Sequence, residues 1–136
     1  MSEFALDDRL ARDSRSLIRI GLCELRLQND RRWPWLVLVP QRPDVAEVFE
    51  LTPLDQAMLT FEMNTVAVAL KAATGADKIN VAALGNIVRQ LHVHVIARNE
   101  GDAAWPGPVW GYGRAEPYAD DEMEALVNRI LEKLSP

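Results

Sequence analysis

The run Gln90-Leu91-His92-Val93-His94-Val95-Ile96 contains both histidines of a chain of 136 residues. Polar and apolar residues alternate there, which is the pattern of a strand. Successive strand side chains leave opposite faces, so Gln90, His92 and His94 share one face and Leu91, Val93 and Val95 the other. At a rise of ~3.3 Å per residue the two imidazoles stand roughly 7 Å apart along the strand. With a pKa near ~6.5, neutral imidazole is abundant at pH 7 and can attack phosphorus or carbon. Two strand imidazoles can also share zinc or copper, given a third or fourth ligand; Glu100 and Asp102 are the carboxylates that follow. The plain alternative is a half-solvated face on which the pair has no role.

These residues need a frame. Leu6 to Ser16 reads as a short helix packed by one edge. Leu17 to Gln28 alternates, with a strand near 20–28. Asn29-Asp30-Arg31-Arg32 is a polar turn, and Trp35 to Val39, closed by Pro40, is short enough for a buried strand. The two strands form an antiparallel hairpin. Thr52 to Gly75 is a long helix: Thr52 caps it, Pro53 suits the first turn, Asp55 follows the cap by three, and Gly75 ends it. Leu54, Met58, Phe61, Thr65, Val68 and Ala72 recur at helical spacing and are read as its core stripe. Ala76 to Ala83 is a third strand, Gly85-Asn86 a turn, and Val88 to Arg98 a fourth strand. Pro and Gly make Ala104 to Gly113 irregular, yet Trp105 and Trp110 must pack on something. Ala119 to Leu134 is a closing helix with Met123, Leu126, Val127, Ile130 and Leu134 on one face; Asp120, Asp121 and Glu122 suit its start and Lys133 its end. Strand pairs around one long helix, closed by another, make the class α+β in a single domain, 1–136.

Composition narrows the functions. Apolar residues make up 49% of the chain, enough for a sizeable core, and charged residues 26%. Fifteen Lys and Arg against twenty Asp and Glu give a net charge of −5, which argues against duplex nucleic acid as a partner. The single Cys23 excludes an internal disulfide and any multi-cysteine zinc site; in Gly21-Leu22-Cys23-Glu24-Leu25 it reads as a buried thiol. Met1-Ser2-Glu3-Phe4 lacks a signal-peptide pattern and no run approaches a membrane span, so a cytoplasmic protein without a membrane partner is expected.

The run Gln90 to Arg98 resembles the signature of the histidine triad (HIT) superfamily, three histidines alternating with apolar residues. Leu36-Val37-Leu38-Val39-Pro40 is similar to the family's central strand and closing proline, Thr52 to Gly75 to its long helix, and Gly85-Asn86 to its glycine and polar residue. The likeness covers roughly residues 17 to 111. It departs at four places, one being a turn from Asn29 to Pro34 shorter than the family's. Gln90 stands for the first histidine, Trp35 for a further histidine common before the central strand, and Ile87 for a serine found in some branches.

The resemblance implies a HIT-like antiparallel sheet packed by the long and the C-terminal helix. It implies a purine nucleotide or nucleotide conjugate as partner, a homodimer, and hydrolysis or nucleotidyl transfer at the α-phosphate with no cofactor. His92 would be the nucleophile and form a nucleotidyl-histidine, with a backbone carbonyl fixing its tautomer. His94, partly protonated, would donate to a phosphate oxygen, and Gln90 would orient a phosphate or a histidine. Asn29 or Asp30 would read the ribose hydroxyls, although turn geometry alone accounts for both. Asn80 and Asn86 are candidate phosphate contacts, or simply loop caps. Arg98 and Arg114 read as surface charges. Two rivals stay open: a nucleotide-binding module without turnover, and a metal-binding protein using His92 and His94.

Overall fold

The computed structural model describes residues 3–135. Met1 and Ser2, half of the N-terminal run considered above, and Pro136 lie outside them. Short helix α1 (Asp8–Asp13) leads into β1 (Ser14–Arg19), followed by β2 (Cys23–Gln28) and β3 (Trp35–Pro40). A 3-10 turn at Val48–Glu50 precedes the long α2 (Pro53–Thr74), then come β4 (Lys78–Ala82), β5 (Val93–Arg98) and α3 (Asp120–Leu134). The five strands form one antiparallel sheet in the order β1-β2-β3-β5-β4. This is the α+β arrangement expected, and none of the described helices is long and apolar enough to cross a membrane.

The sheet is covered on both faces, so β3 and β5 are buried throughout. Along β3, Leu36 and Leu38 face a core shared with α2 and α3, through Leu59, Val66, Leu70, Leu126 and Ile130. Trp35, Val37 and Val39 face a second cluster with Leu10, Trp33, Ile96 and Val109. Cys23 belongs to the first core; burial, and next the nearby Glu62 carboxylate, push its thiol pKa up, as befits an inert packing group.

Four expectations change. The helix read from Leu6 to Ser16 covers only Asp8–Asp13, and Ser14–Ser16 open β1 instead. The segment 17–28 is two strands, because the chain reverses at Ile20–Leu22, where Ile20 N–H donates to Cys23 O at 2.9 Å. Gly21 is required there: a Cβ would lie 2.9 Å from a Glu62 carboxylate oxygen. That carboxylate accepts from the amides of Leu22 and Cys23 at 2.8 and 2.9 Å.

The caps of α2 form as read, with Thr52 Oγ1 accepting from Asp55 N–H at 3.2 Å and Gly75 N–H donating to Lys71 O at 2.8 Å. Its buried stripe does not. Asp55, Leu59, Glu62, Val66, Ala69 and Leu70 face the core, whereas Leu54, Phe61 and Val68 are 70%, 73% and 72% exposed. The inward stripe is one residue, about 100° of helix, from the one chosen. It was masked by two carboxylates that turn inward because each has partners there, Glu62 the two amides and Asp55 the Arg42 guanidinium at 2.7 Å.

Strand β5 starts at Val93 rather than Val88. Ahead of it the chain leaves the ladder, and Leu91 N–H pairs with Val45 O at 2.9 Å.

Candidate active site

His94 sits in the centre of the sheet, opposite Val37 on β3 and Ala82 on β4. His92 lies just before the strand. Because the chain bends out of the ladder, the two rings approach to 4.9 Å between centroids, at 74°, closer than a regular strand would set them. Both are buried. Trp35 and Trp110 stand edge-on to His94, at 5.6 and 5.0 Å, and close an aromatic box around it.

The hydrogen bonds fix complementary tautomers. His92 Nδ1 is 2.7 Å from the carbonyl oxygen of Gln90. A carbonyl only accepts, so Nδ1 carries the proton and Nε2 keeps its lone pair. His94 Nδ1 is 2.9 Å from the indole nitrogen of Trp35. An indole N–H only donates, so Nδ1 accepts and the proton of neutral His94 resides on Nε2. Burial, and then the charge of His92, hold the His94 pKa down to about 3. At neutral pH His94 is therefore an uncharged N–H donor, which corrects the partly protonated imidazole expected above.

A cleft of about 470 Å³ opens onto this pair. His92, His94, Trp35 and Trp110 line it together with Arg9, Arg12, Asp13 and Gln28 from α1 and β2, and Gly85, Asn86 and Val88 from the loop before the histidines. Gly85 has φ +69°, the left-handed conformation that lets this loop turn sharply beside the rings. A smaller neighbouring cleft, about 260 Å³, shares His92 as a wall.

The other sequence-chosen residues divide. Asn86 lines the larger cleft. Neither amide atom of Gln90 faces a ligand: Oε1 accepts from Asp7 N–H at 2.9 Å and Nε2 donates to Ala5 O at 2.8 Å. Asn29 Oδ1 accepts from Tyr118 N–H at 2.9 Å. Asp30 is buried in an ion pair with Arg32, Oδ2 to Nη2 at 2.7 Å, and the hydrogen bonds from Arg32 hold its carboxyl below the usual range against burial, which acts the other way. Asn80 Oδ1 accepts from Arg98 Nη1 at 3.1 Å. These three side chains brace the segments around the sheet, and none lines either cleft described here.

Arg98 is not a surface charge. It is fully buried, bonds both oxygens of Asp102 at 2.9 and 2.8 Å, and lies between the rings of Trp33 and Trp105. The arginine anchors the irregular Trp105–Trp110 segment, whose tryptophans pack within their own chain. Sequence reasoning missed Trp35 as a partner of His94 and α1 as a cleft wall. The first had a signal, since an indole N–H needs an acceptor when buried; the second depends on tertiary packing alone. Among the described residues no three His, Cys, Asp or Glu side chains gather as a metal site, so His92 and His94 have no third ligand of those types.

Comparison with known proteins now adds a family. A model of the HIT domain matches residues 9–101. No curated protein matches the chain. Among solved structures, a histidine triad protein of Sinorhizobium meliloti is 68% identical, with 96% of each chain covered and a TM-score of 0.94. One from Bradyrhizobium japonicum is 41% identical over 98% of this chain and 99% of that one, with a TM-score of 0.96. One from Marinobacter aquaeolei is also 41% identical, over 98% and 97%, with a TM-score of 0.95. The family model spans well over half of the sequence and the fold agrees along nearly all of it, so the chain belongs to the HIT domain family.

Proposed function

We propose that this protein is a nucleotide hydrolase or nucleotidyl transferase that acts at the α-phosphate through a nucleotidyl-histidine. The observation that carries this reading is the pair of complementary tautomers, a lone pair on Nε2 of His92 beside an N–H on Nε2 of His94. In the first step Nε2 of His92 attacks phosphorus in line, the N–P bond forms, and the bond to the leaving group breaks with its electron pair departing on that group. Positive charge develops on the His92 ring, and its Nδ1–H, held by Gln90 O, stabilises it. His94 donates Nε2–H to a non-bridging phosphate oxygen. Being neutral, it does so without a change of protonation state. In the second step water or another acceptor attacks the same phosphorus and gives up its proton to solvent, while the P–N bond breaks with its electron pair returning to Nε2 of His92.

The nucleotide occupies the larger cleft, its phosphate beside the histidines and Asn86. Its base packs against the aromatic wall, and its ribose meets Asp13 and Gln28 in place of Asn29 or Asp30. The exposed stripe Leu54, Met58, Phe61 and Val68 on α2, together with the free edge of β4, supports a homodimer.

The test is acid-quench mass spectrometry with a nucleoside phosphoramidate. An acid-labile nucleotidyl mass on wild type and on His94→Asn, but not on His92→Ala, is expected. The same adduct on His92→Ala, or a mass mapping to His94, overturns the assignment. One observation favours a second reading, a binding module without turnover: the Gln90 amide is committed to the N-terminal arm and carries no titrating proton. Nucleotide binding without adduct or turnover in wild type selects that reading.

A further inference from the structure

We propose that Gln90 is a positioning residue that latches the N-terminal arm, residues 4–7, and through it holds α1 as a wall of the cleft. The inference rests on the reading of that cleft as a nucleotide site. Four observations carry it.

The first is the bonding. Ala5 O and Asp7 N–H flank Leu6 and are both taken by the single carboxamide of Gln90, at 2.8 and 2.9 Å. One acceptor and one donor presented side by side imitate the peptide unit of a neighbouring strand. A carboxylate at position 90 would lack the donor.

The second is the helix. With six residues, α1 is far too short to hold itself in water. Its N-cap is Asp7, whose Oδ1 accepts from Arg9 N–H at 2.8 Å, so the latched residue is also the one that caps α1.

The third is placement. Arg9, Leu10, Arg12 and Asp13 of α1 line the cleft, and Arg9 Nη1 reaches across to Ile87 O at 3.4 Å on the opposite rim. Phe4 and Leu6 pack on the cluster that contains Trp35, so the arm is seated on the same side of the sheet as His94.

The fourth is that the backbone carbonyl of Gln90 holds His92 Nδ1. One residue thus ties the nucleophile to the wall that faces it. Arm residues 4–7 precede the region matched by the family model, and Gln90 stands where the signature resemblance has a histidine.

The experiment uses the full chain and two variants, Gln90→Ala and Gln90→His, each first shown to unfold cooperatively. Gln90→His returns the residue type of the signature and serves if the alanine variant folds poorly. Two readouts are taken: amide hydrogen exchange of the arm and α1, and AMP affinity by calorimetry with KM and kcat for a nucleoside phosphoramidate. The expected result is exchange at the arm faster by about tenfold or more, with AMP affinity weakened and KM raised about tenfold, the scale of losing two ordinary hydrogen bonds. The main-chain carbonyl on His92 survives both substitutions, so kcat changes less than KM. Unchanged exchange at the arm overturns the latch. Faster exchange with unaltered AMP affinity and KM overturns its role as a cleft wall. If wild type neither binds AMP nor turns over, the nucleotide reading fails, and exchange alone then decides whether Gln90 holds the arm.

Discussion

The indole nitrogen of Trp35 lies 2.9 Å from Nδ1 of His94, and this bond sets which nitrogen of His94 carries the proton. Trp35 on β3 and His94 on β5 are brought together by the register that pairs Val37 with His94. The tryptophan thus acts on chemistry from a neighbouring strand.

Trp35→Phe keeps an aromatic wall and removes the donor. His94 Nδ1 then loses its partner, and both neutral tautomers become accessible. Turnover is expected to fall about fivefold, the scale of one net hydrogen bond. Nitrogen-15 NMR should show loss of the single Nε2–H tautomer. A variant that keeps that tautomer and full activity would count against the role assigned to Trp35.

Stability should depend on pH through His94. Its folded pKa of about 3 lies well below the unfolded value, so below pH 6.5 the unfolded chain binds the extra proton. Stability is full above pH 6.5 and declines as pH falls toward 3. Between pH 6.5 and 5 the His94 contribution to stability falls by about 2 kcal/mol. Urea unfolding at several pH values should show this slope in wild type and a flatter one in His94→Asn. Equal slopes would contradict a neutral buried imidazole.

Arg98→Met should be severely destabilising. It removes the partner of Asp102 and strands the acceptors Asn80 Oδ1 and Gly107 O, which Arg98 bonds at 3.1 and 2.9 Å. Breaking a buried ion pair from one side costs about 3–5 kcal/mol. A urea midpoint within error of wild type would refute the account of Arg98 as the anchor of the tryptophan segment.

Phe61→Glu places a charge in the exposed apolar stripe of α2. Phe61 is 73% exposed, so the fold of one chain should tolerate it. Sedimentation is expected to show a dimer for wild type and a particle of about one chain mass for the variant at micromolar concentration, since interfaces of standard size persist there. A monomeric wild type would remove the homodimer from the proposal.

The alternation around His92 and His94, the caps of α2 at Thr52 and Gly75, and the stripe of α3 were legible because each depends on neighbours within one or two turns of chain. The family signature was legible for the same reason. Most of what the sequence could not show depends on partners distant along the chain, and the local pairs Asp30–Arg32 and Arg98–Asp102 become informative only once the fold buries them. Asp55 and Glu62 look like solvent residues until Arg42 and the amides of Leu22 and Cys23 arrive to satisfy them, and so the helix face was misplaced. Asn29, Asp30, Asn80 and Gln90 have the donors and acceptors of ligand contacts, but Tyr118, Arg32, Arg98 and the 5–7 arm take up those capacities first. Arg98 reads as charge on the surface, and only the Trp33 and Trp105 rings with Asp102 make it a buried strut. Residue type and spacing determined which chemistry this chain could perform. Tertiary packing decided which polar groups remain free to perform it, because a buried donor or acceptor must be paired and pairs with whatever the fold brings nearest.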